Sequence, residues 1–208
     1  FKITEGESSG LWSVLRSSED EVLKGSLLIT LYENLRWKTI SPQGFREEML
    51  AYLPNESNSL LFSMALSYLG DCQRIFPSDS RPLEQVLWKI VTTNPVSQHR
   101  LQAFRLYRSI ADSEEAVQRL YTLWQERKAP KDCTLSESDY IGLSYMLAMH
   151  LPEKADKIIA TQLSRIQNPD RKKEYQFISP SVSPRKAERD SVFASLLIAG
   201  NRRVEPWA

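Results

Sequence analysis

The chain has 208 residues, of which 41% are hydrophobic and 25% are charged, and this composition is that of a folded, soluble protein rather than a disordered one. Its formal net charge of +1 gives no general attraction for nucleic acid or for an anionic membrane, so we expect neither as a partner. No apolar run reaches the length of a membrane span.

The cysteines and the first residue bear on compartment and processing. Cys72 and Cys133 match no metal-ligand or redox spacing, so we expect two free thiols, and both cytoplasm and periplasm stay open. The chain begins at Phe1 rather than at Met and has no basic-then-apolar leader. We therefore expect a processed product or an excised fragment.

The first 18 residues differ from the rest of the chain. Residues 1–4 alternate apolar and polar like the end of a strand, and the segment from Gly6 to Gly10 is typical of a linker. We predict that residues 1–18 are a linker or the end of a preceding domain, and that residues 19–208 form one helical domain.

From Ser18 onward, apolar residues recur at helical spacing between capping residues and prolines. Helix starts are predicted, in chain order, at Ser18, Ser41, near residue 57, and at Ser80, Asn94, Asp112, Thr134, Pro152, Asn168 and Ser183. Capping boxes are predicted for Ser18 with Glu21, Asp112 with Glu115, and Thr134 with Glu137. We expect Gly70 to end or kink its helix and Gly200 to end the last one.

The spacing of these starts predicts the architecture. Alternate helices begin near residues 20, 57, 94 and 136, and their partners begin near 41, 81, 113 and 152, which is a period of roughly 37 to 42 residues. That period is typical of HEAT and armadillo repeats, in which each helix pair buries its apolar face on the next. The sequence therefore predicts an all-α fold, a right-handed α-α superhelix of stacked helix pairs.

A catalytic site is not evident in the sequence. The two histidines, His99 and His150, lie in no His-Glu-x-x-His motif, and no cluster of His, Cys or carboxylate residues has metal-ligand spacing. We expect His99 to face solvent and His150 to end a helix, where a positive charge suits the helix dipole. No serine or cysteine nucleophile is predicted beside a histidine.

The end of the chain has a sequence pattern more specific than the spacing of apolar residues in a helix requires. It runs NPDR at residues 168–171, EYQFISPSVS at 174–183, RDSVFASL at 189–196 and NRRVEPW at 201–207. This pattern resembles the carboxy-terminal helical domain of bacterial gluzincin zinc aminopeptidases, relatives of alanyl aminopeptidase and leukotriene hydrolase. The resemblance covers roughly residues 139–207, about a third of the chain.

The resemblance implies an accessory role in a metallopeptidase. In that family a thermolysin-like catalytic domain holds the zinc, cleaves the amino-terminal residue from peptides, and precedes a helical domain that covers the cleft. Neither its His-Glu-x-x-His helix nor its Gly-x-Met-Glu-Asn strand occurs here, so we expect no catalytic residue and no cofactor in this chain. The implied partners are the upstream catalytic domain and short peptide substrates.

The closing segment supplies the candidate site residues, which are Arg189, Asp190, Arg202, Arg203, Glu205 and Trp207. They have two interpretations. Either Trp207 plugs the last repeat and the segment caps the domain, or one arginine holds a substrate carboxylate in the peptide cavity. Two other functions remain as alternatives to the peptidase domain. One is a stand-alone helical scaffold for a protein partner. The other is a nucleic-acid-binding solenoid, which the near-zero net charge disfavours.

Overall fold

The computed structural model describes residues 2–204, and it is helical throughout, with no strand in that range. The all-α prediction is confirmed. Twelve α-helices are described: α1 Glu5–Ser17, α2 Glu21–Arg36, α3 Pro42–Tyr52, α4 Ser59–Ile75, α5 Arg81–Thr93, α6 Ser97–Ile110, α7 Glu114–Glu126, α8 Glu137–His150, α9 Ala155–Arg165, α10 Pro169–Ile178, α11 Lys186–Leu197 and α12 Ala199–Val204. Short 3-10 helices lie at Leu53–Asn55, Pro152–Lys154 and Ser179–Val182.

Several helices begin where their capping residues predict. The Ser41 side chain accepts from the backbone of Gly44 at the start of α3, and Asn168 caps α10 by accepting from two backbone N–H groups. The third predicted capping box is displaced by two residues, because Ser136 and Asp139, rather than Thr134 and Glu137, bond reciprocally at α8.

The linker prediction for the first residues is wrong in its local structure. A capping box of Thr4 and Glu7 starts helix α1, which packs on α2 and buries Trp12 and Leu15. Two glycines in this helix lowered its apparent propensity, but the buried face of α1 outweighs that local cost. Before the helix, Ile3 is buried and its backbone N–H donates to Asn34 Oδ1 at 2.9 Å.

Other predicted boundaries are also wrong. Helix α4 continues through Gly70, which has a helical conformation, and helix α12 spans Gly200. Asn94 ends α5 instead of opening the next helix. The start of α7 follows Asp112 and Ser113, whose backbone N–H groups donate to the distant Glu84 carboxylate. A tertiary contact therefore holds the start of α7.

The described chain forms two compact units, and the first comprises Phe1–Ser113 with Pro130–Cys133. In unit 1, α4 lies between α2 and α6 and packs against both, while α3 packs on α4 and α5 packs on α6. Its largest fully buried side chains are aromatic or long aliphatic: Phe45, Phe62, Phe104, Tyr107, Leu28 and Leu31. Each of these helices buries one face in the interior of the unit.

The second unit comprises Glu114–Ala129 with Thr134–Ala208. Helix α8 contacts α7, α9 and the 3-10 helix at Ser179–Val182. The indole Nε1 of Trp124 donates to Gln162 Oε1 at 2.8 Å in its interior, and the Arg165 guanidinium stacks on the same indole. Arg165 also donates to the backbone oxygen of Trp124, which satisfies a carbonyl at the end of α7.

Contacts within each unit recur at a regular sequence separation. The Tyr32–Asp71, Ser59–His99 and Trp124–Gln162 hydrogen bonds join residues 39, 40 and 38 positions apart. These separations lie within the predicted period, as expected when one helix pair packs on the next. The superhelical course and its handedness stay predictions.

Two further sequence expectations can be compared with the structure. Both cysteines are free thiols, with Cys72 buried. Among residues 2–204, every helix is too short or too polar to cross a bilayer.

Candidate functional site

The main candidate site is a cavity of about 630 Å³ between α4 and α6, which we call the α4–α6 groove. Gly70 forms part of its wall, and a Cβ at that position would lie 2.9 Å from Leu106 Cδ1. The missing side chain therefore lets Leu106 approach the backbone of α4. A volume of this size is in the usual range of ligand-binding pockets.

A polar cluster lies at one end of the groove. The Asp71 carboxylate accepts from the Tyr32 hydroxyl at 2.8 Å and from Arg74 Nη2 at 2.5 Å. The Tyr32 ring stacks on Tyr68 with centroids 4.0 Å apart. Burial and the bond to Asp71 raise the pKa of Tyr32, so its hydroxyl stays protonated and donates to that carboxylate. Asp71 thus has a fixed position on the groove wall.

The side chain of Gln102 contains a buried oxygen that accepts no hydrogen bond from the described residues. Gln102 lines the groove from α6, and its Oε1 is buried without a hydrogen-bond partner among the described residues. A buried acceptor left unpaired costs about 1–3 kcal/mol. Sequence reasoning missed Gln102, although it lies three residues after His99 and four before Leu106 and so shares their helix face.

A serine and a histidine lie together elsewhere in unit 1, contrary to prediction. His99 is fully buried rather than solvent-facing, and its Nε2 is 2.9 Å from Ser59 Oγ. The imidazole stacks on Phe62 with centroids 4.0 Å apart. Hydrophobic burial of the start of α6 against α4 explains the error, because spacing within α6 alone does not show that packing.

The Ser59–His99 pair does not have the arrangement of a catalytic dyad. His99 Nδ1 is buried and has no hydrogen-bond partner in the described chain, whereas a catalytic histidine is oriented through that nitrogen by an acid or amide. Neither residue lines the α4–α6 groove. The pair instead joins the beginning of α4 to α6.

The burial of the His99 imidazole should make the stability of the fold depend on pH. Burial lowers the pKa of His99 below its ordinary value, and the smaller opposing effect of Glu56 does not cancel this. The unfolded chain then binds a proton below pH of about 6.5 that the folded chain rejects. The free energy of unfolding should therefore be at its full value above that pH and fall below it, by at most about 1.4 kcal/mol per pH unit.

The measurement is urea unfolding of the wild type, His99→Gln and His150→Gln between about pH 7.5 and pH 5.5. His99→Gln should flatten the decline, because it removes the buried imidazole. His150→Gln, at the exposed end of α8, is the comparison that removes the other histidine. An equal decline in all three proteins would contradict the assignment to His99.

A smaller cavity of about 250 Å³ lies between α8 and α10 in unit 2. Arg171 and Glu174, both within the family-like pattern, line it together with Tyr145. Arg171 Nη1 is 3.3 Å from Glu137 Oε1, and the buried Tyr145 hydroxyl has no hydrogen-bond partner among residues 2–204. Burial raises the pKa of Tyr145 well above its ordinary value, so this hydroxyl remains a donor.

Four of the six predicted site residues lie on the last two helices. On α11, Arg189 Nη1 donates to the Ser183 carbonyl at 2.6 Å, and Asp190 accepts from Lys186 Nζ at 2.6 Å. On α12, the Arg202 guanidinium donates to the Leu196 carbonyl, and Arg203 is exposed. Glu205 and Trp207 lie outside the described residues, so the capping and the substrate-binding interpretations both stay open.

In residues 2–204, no group of three or more His, Cys, Asp or Glu side chains is placed to hold a metal ion.

Comparison with known proteins finds no match. No model of a protein family matches the chain, and neither a curated protein nor a solved structure matches it.

Proposed function

We propose that this chain is the non-catalytic, carboxy-terminal helical domain of a zinc-dependent aminopeptidase and bounds the peptide-binding cavity of the full-length enzyme. The observation that carries the proposal is the sequence pattern of residues 168–196, which resembles that family. Part of this pattern lies on α11, a helix that has no buried residues. Packing demands do not account for specific residues on such a helix, whereas contact with a catalytic domain or a peptide would.

Some residues of the pattern have evident structural roles. Asn168 caps α10, Tyr175 is fully buried, and Ser183 is buried beside the Arg189 guanidinium. Others do not, since Phe193 is 66% exposed and Glu174 faces the smaller cavity. The pattern thus includes exposed residues as well as buried ones. This supports a domain whose surface contacts another domain or a peptide.

Zinc and the catalytic groups belong, in this proposal, to the domain that precedes the helices. The described residues of this chain do not fit a zinc centre, since no ligand group is assembled among them. What this chain contributes is a helical wall that limits which peptides reach the zinc.

The experiment begins with the reading frame upstream of residue 1, where the proposal expects a His-Glu-x-x-His motif within a few hundred residues. The enzyme is then compared with a form lacking residues 5–208 on alanine p-nitroanilide and on a twenty-residue peptide. Removing the helical wall should raise the rate on the long peptide relative to the anilide by at least about tenfold, since access and not chemistry changes.

A truncated enzyme that does not fold is distinguished by its circular dichroism, and the missing helices can then be supplied as a separate chain. A start codon close upstream of residue 1, with no zinc motif before it, would contradict the proposal.

That outcome would favour the second candidate, a helical scaffold that binds a protein partner. The observation on its side is the apolar surface of α11 and the residue after it, where Phe193, Leu197 and Ile198 are each at least 60% exposed. Exposed apolar groups of this kind mark contact surfaces.

A further inference from the structure

Helix α6 begins without a side-chain cap. Its N-cap residue is Val96, and no side chain there accepts a hydrogen bond from the first turn. That turn also contains no acidic residue to balance the positive end of the helix dipole. Ser97 and Gln98, the first two residues of α6, are both exposed. The first turn, residues 97–100, therefore depends on its buried side chains to stay in place.

His99 is the residue that attaches this turn to α4. Its imidazole is fully buried, stacks on Phe62 and shares a hydrogen bond with Ser59 through Nε2. Its Nδ1 is buried and has no partner within residues 2–204. Ser59 is the first residue of α4, so this contact joins the beginnings of two helices. The attachment through His99 thus consists of one ring contact and one hydrogen bond.

A protonated imidazole does not fit this closed position. Both ring nitrogens of the cation carry a proton, and the Ser59 hydroxyl can accept only from Nε2. The Nδ1–H group would then be a buried donor without an acceptor in the described chain. His99 is also the third residue of α6, where the helix dipole disfavours a positive charge. Both costs disappear when the ring enters water.

The acid that acts on His99 does not offset these costs. Glu56, which precedes α4, favours the charged imidazole, but burial has the larger effect and lowers the pKa of His99. The Glu56 carboxylate already accepts from Lys24 of α2 and from the Tyr52 hydroxyl of α3. The charged residues of α4 itself lie at its opposite end from Ser59. The closed turn therefore favours the neutral imidazole.

Arg100 limits how far an opening of this turn can extend. Its guanidinium donates to the carbonyl groups of Asn94 and Asp132 at 2.6 and 3.2 Å, and it lies 4.0 Å from the Asp132 carboxylate. Lys89 of α5, which lines a small cavity beside Asn94, is a further cation and offers the His99 cation no acceptor. Bonds between a guanidinium and a carbonyl do not change near neutral pH, so they should persist when His99 is protonated.

We propose that the first turn of α6 is a pH-sensitive switch, which opens locally when His99 is protonated while the rest of unit 1 stays folded. The later turns of α6 keep their packing because Ala103, Phe104 and Tyr107 are fully buried. The open turn takes up a proton at the ordinary histidine pKa of about 6.5, so the open fraction should rise about tenfold from pH 7.5 to pH 5.5. The inference goes beyond the proposed function and does not rest on it.

Amide hydrogen exchange of the 208-residue chain, followed by NMR, measures the opening. Protection factors, which correct for the intrinsic effect of pH on exchange, are compared at pH 7.5 and pH 5.5 and at several urea concentrations below the unfolding transition. The amides of Arg100, Leu101 and Ala103 bond to carbonyls of the first turn and its N-cap. They should lose about tenfold in protection in acid, with little dependence on urea, whereas amides that exchange by global unfolding have the full urea dependence.

Two comparisons assign the effect to His99. His99→Gln keeps a side-chain amide that can bond to Ser59 but does not titrate, so protection of these amides should agree within about twofold at the two pH values. Helix α5 is the matched control in the same unit, because its N-cap Ser80 also makes no side-chain bond to the first turn and no histidine lies on it. Local opening at the start of α5 should be independent of pH.

Three results would overturn the inference. They are equal protection of the first-turn amides of α6 at both pH values, exchange of these amides with the full urea dependence of global unfolding, and an equal loss of protection in His99→Gln. The first two come from the wild-type chain, so the test does not depend on the folding of a variant. None of the three depends on the sequence upstream of residue 1, so the proposed function and this inference fail separately.

Discussion

Replacing Glu84 with leucine is expected to lower the free energy of unfolding by about 3–5 kcal/mol, because several hydrogen bonds to one buried carboxylate are lost together. Glu84 is 4% exposed, and its carboxylate accepts from the Ser80 hydroxyl and from the backbone N–H groups of Asp112 and Ser113. The Ser113 hydroxyl donates to its second oxygen. Leucine would remove the acceptor of the buried Ser80 hydroxyl and of the half-buried Ser113 donors at the start of α7.

Glutamine at the same position separates hydrogen bonding from charge. Its one oxygen can still accept at the Oε1 position, so Glu84→Gln should cost less, about 1–3 kcal/mol. Burial by itself would raise the pKa of Glu84, but the hydrogen bonds from Ser113, Asp112 and Ser80 outweigh it and hold that pKa below its ordinary value.

The depressed pKa gives the sign of the pH dependence. A carboxylate of this kind contributes stability above its unfolded pKa of about 4.3, and the contribution is lost as the pH falls through the lower, folded pKa. Urea unfolding at neutral and acidic pH should therefore show the gap between wild type and Glu84→Gln shrinking in acid.

Glu47→Gln is the matched control, because Glu47 also belongs to unit 1, is exposed, and accepts a hydrogen bond from Gln43 one helical turn away. This substitution should lower the free energy of unfolding by less than about 0.5 kcal/mol. If Glu84→Gln were as mild as Glu47→Gln, the network around Glu84 would not stabilise unit 1.

Replacing Tyr175 with alanine should destabilise unit 2 by about 3–5 kcal/mol, because a fully buried aromatic ring is removed and a cavity remains. The ring stacks on Tyr145 with centroids 5.0 Å apart. The Ser144 hydroxyl donates to the Ile141 carbonyl at 2.7 Å, so in the 2.9 Å contact with Ser144 the Tyr175 hydroxyl is the donor.

Phenylalanine at two stacked positions gives a sharper comparison. Tyr175→Phe removes a bonded hydroxyl and should cost about 1 kcal/mol. Tyr145→Phe removes a buried hydroxyl that has no described partner, so it should be neutral or stabilising. Thermal unfolding of the variants measures both effects, and a loss of stability in Tyr145→Phe equal to that in Tyr175→Phe would contradict the hydrogen-bond assignment.

Part of the candidate site could have been predicted from the repeat period. Ser59 and His99 are one period apart, and so are Tyr32 and Asp71, so stacking of successive helix pairs would bring each pair together. The buried Gln102 oxygen and the groove could not, because a cavity depends on how closely α4 and α6 approach. That approach is set at Gly70, where the sequence predicted a helix end.

The sequence by itself determined the all-α class and starts such as Ser41 and Asn168. Caps and apolar spacing act within about one helical turn, so they are visible in a single segment. The Thr4–Glu7 capping box of α1 was also visible in the sequence and was missed. Only the tertiary structure decided that α4 continues through Gly70 and that His99 is buried. Each of these outcomes depends on apolar surface covered by a helix distant in the chain, and that free energy outweighs the local preferences of glycine and histidine.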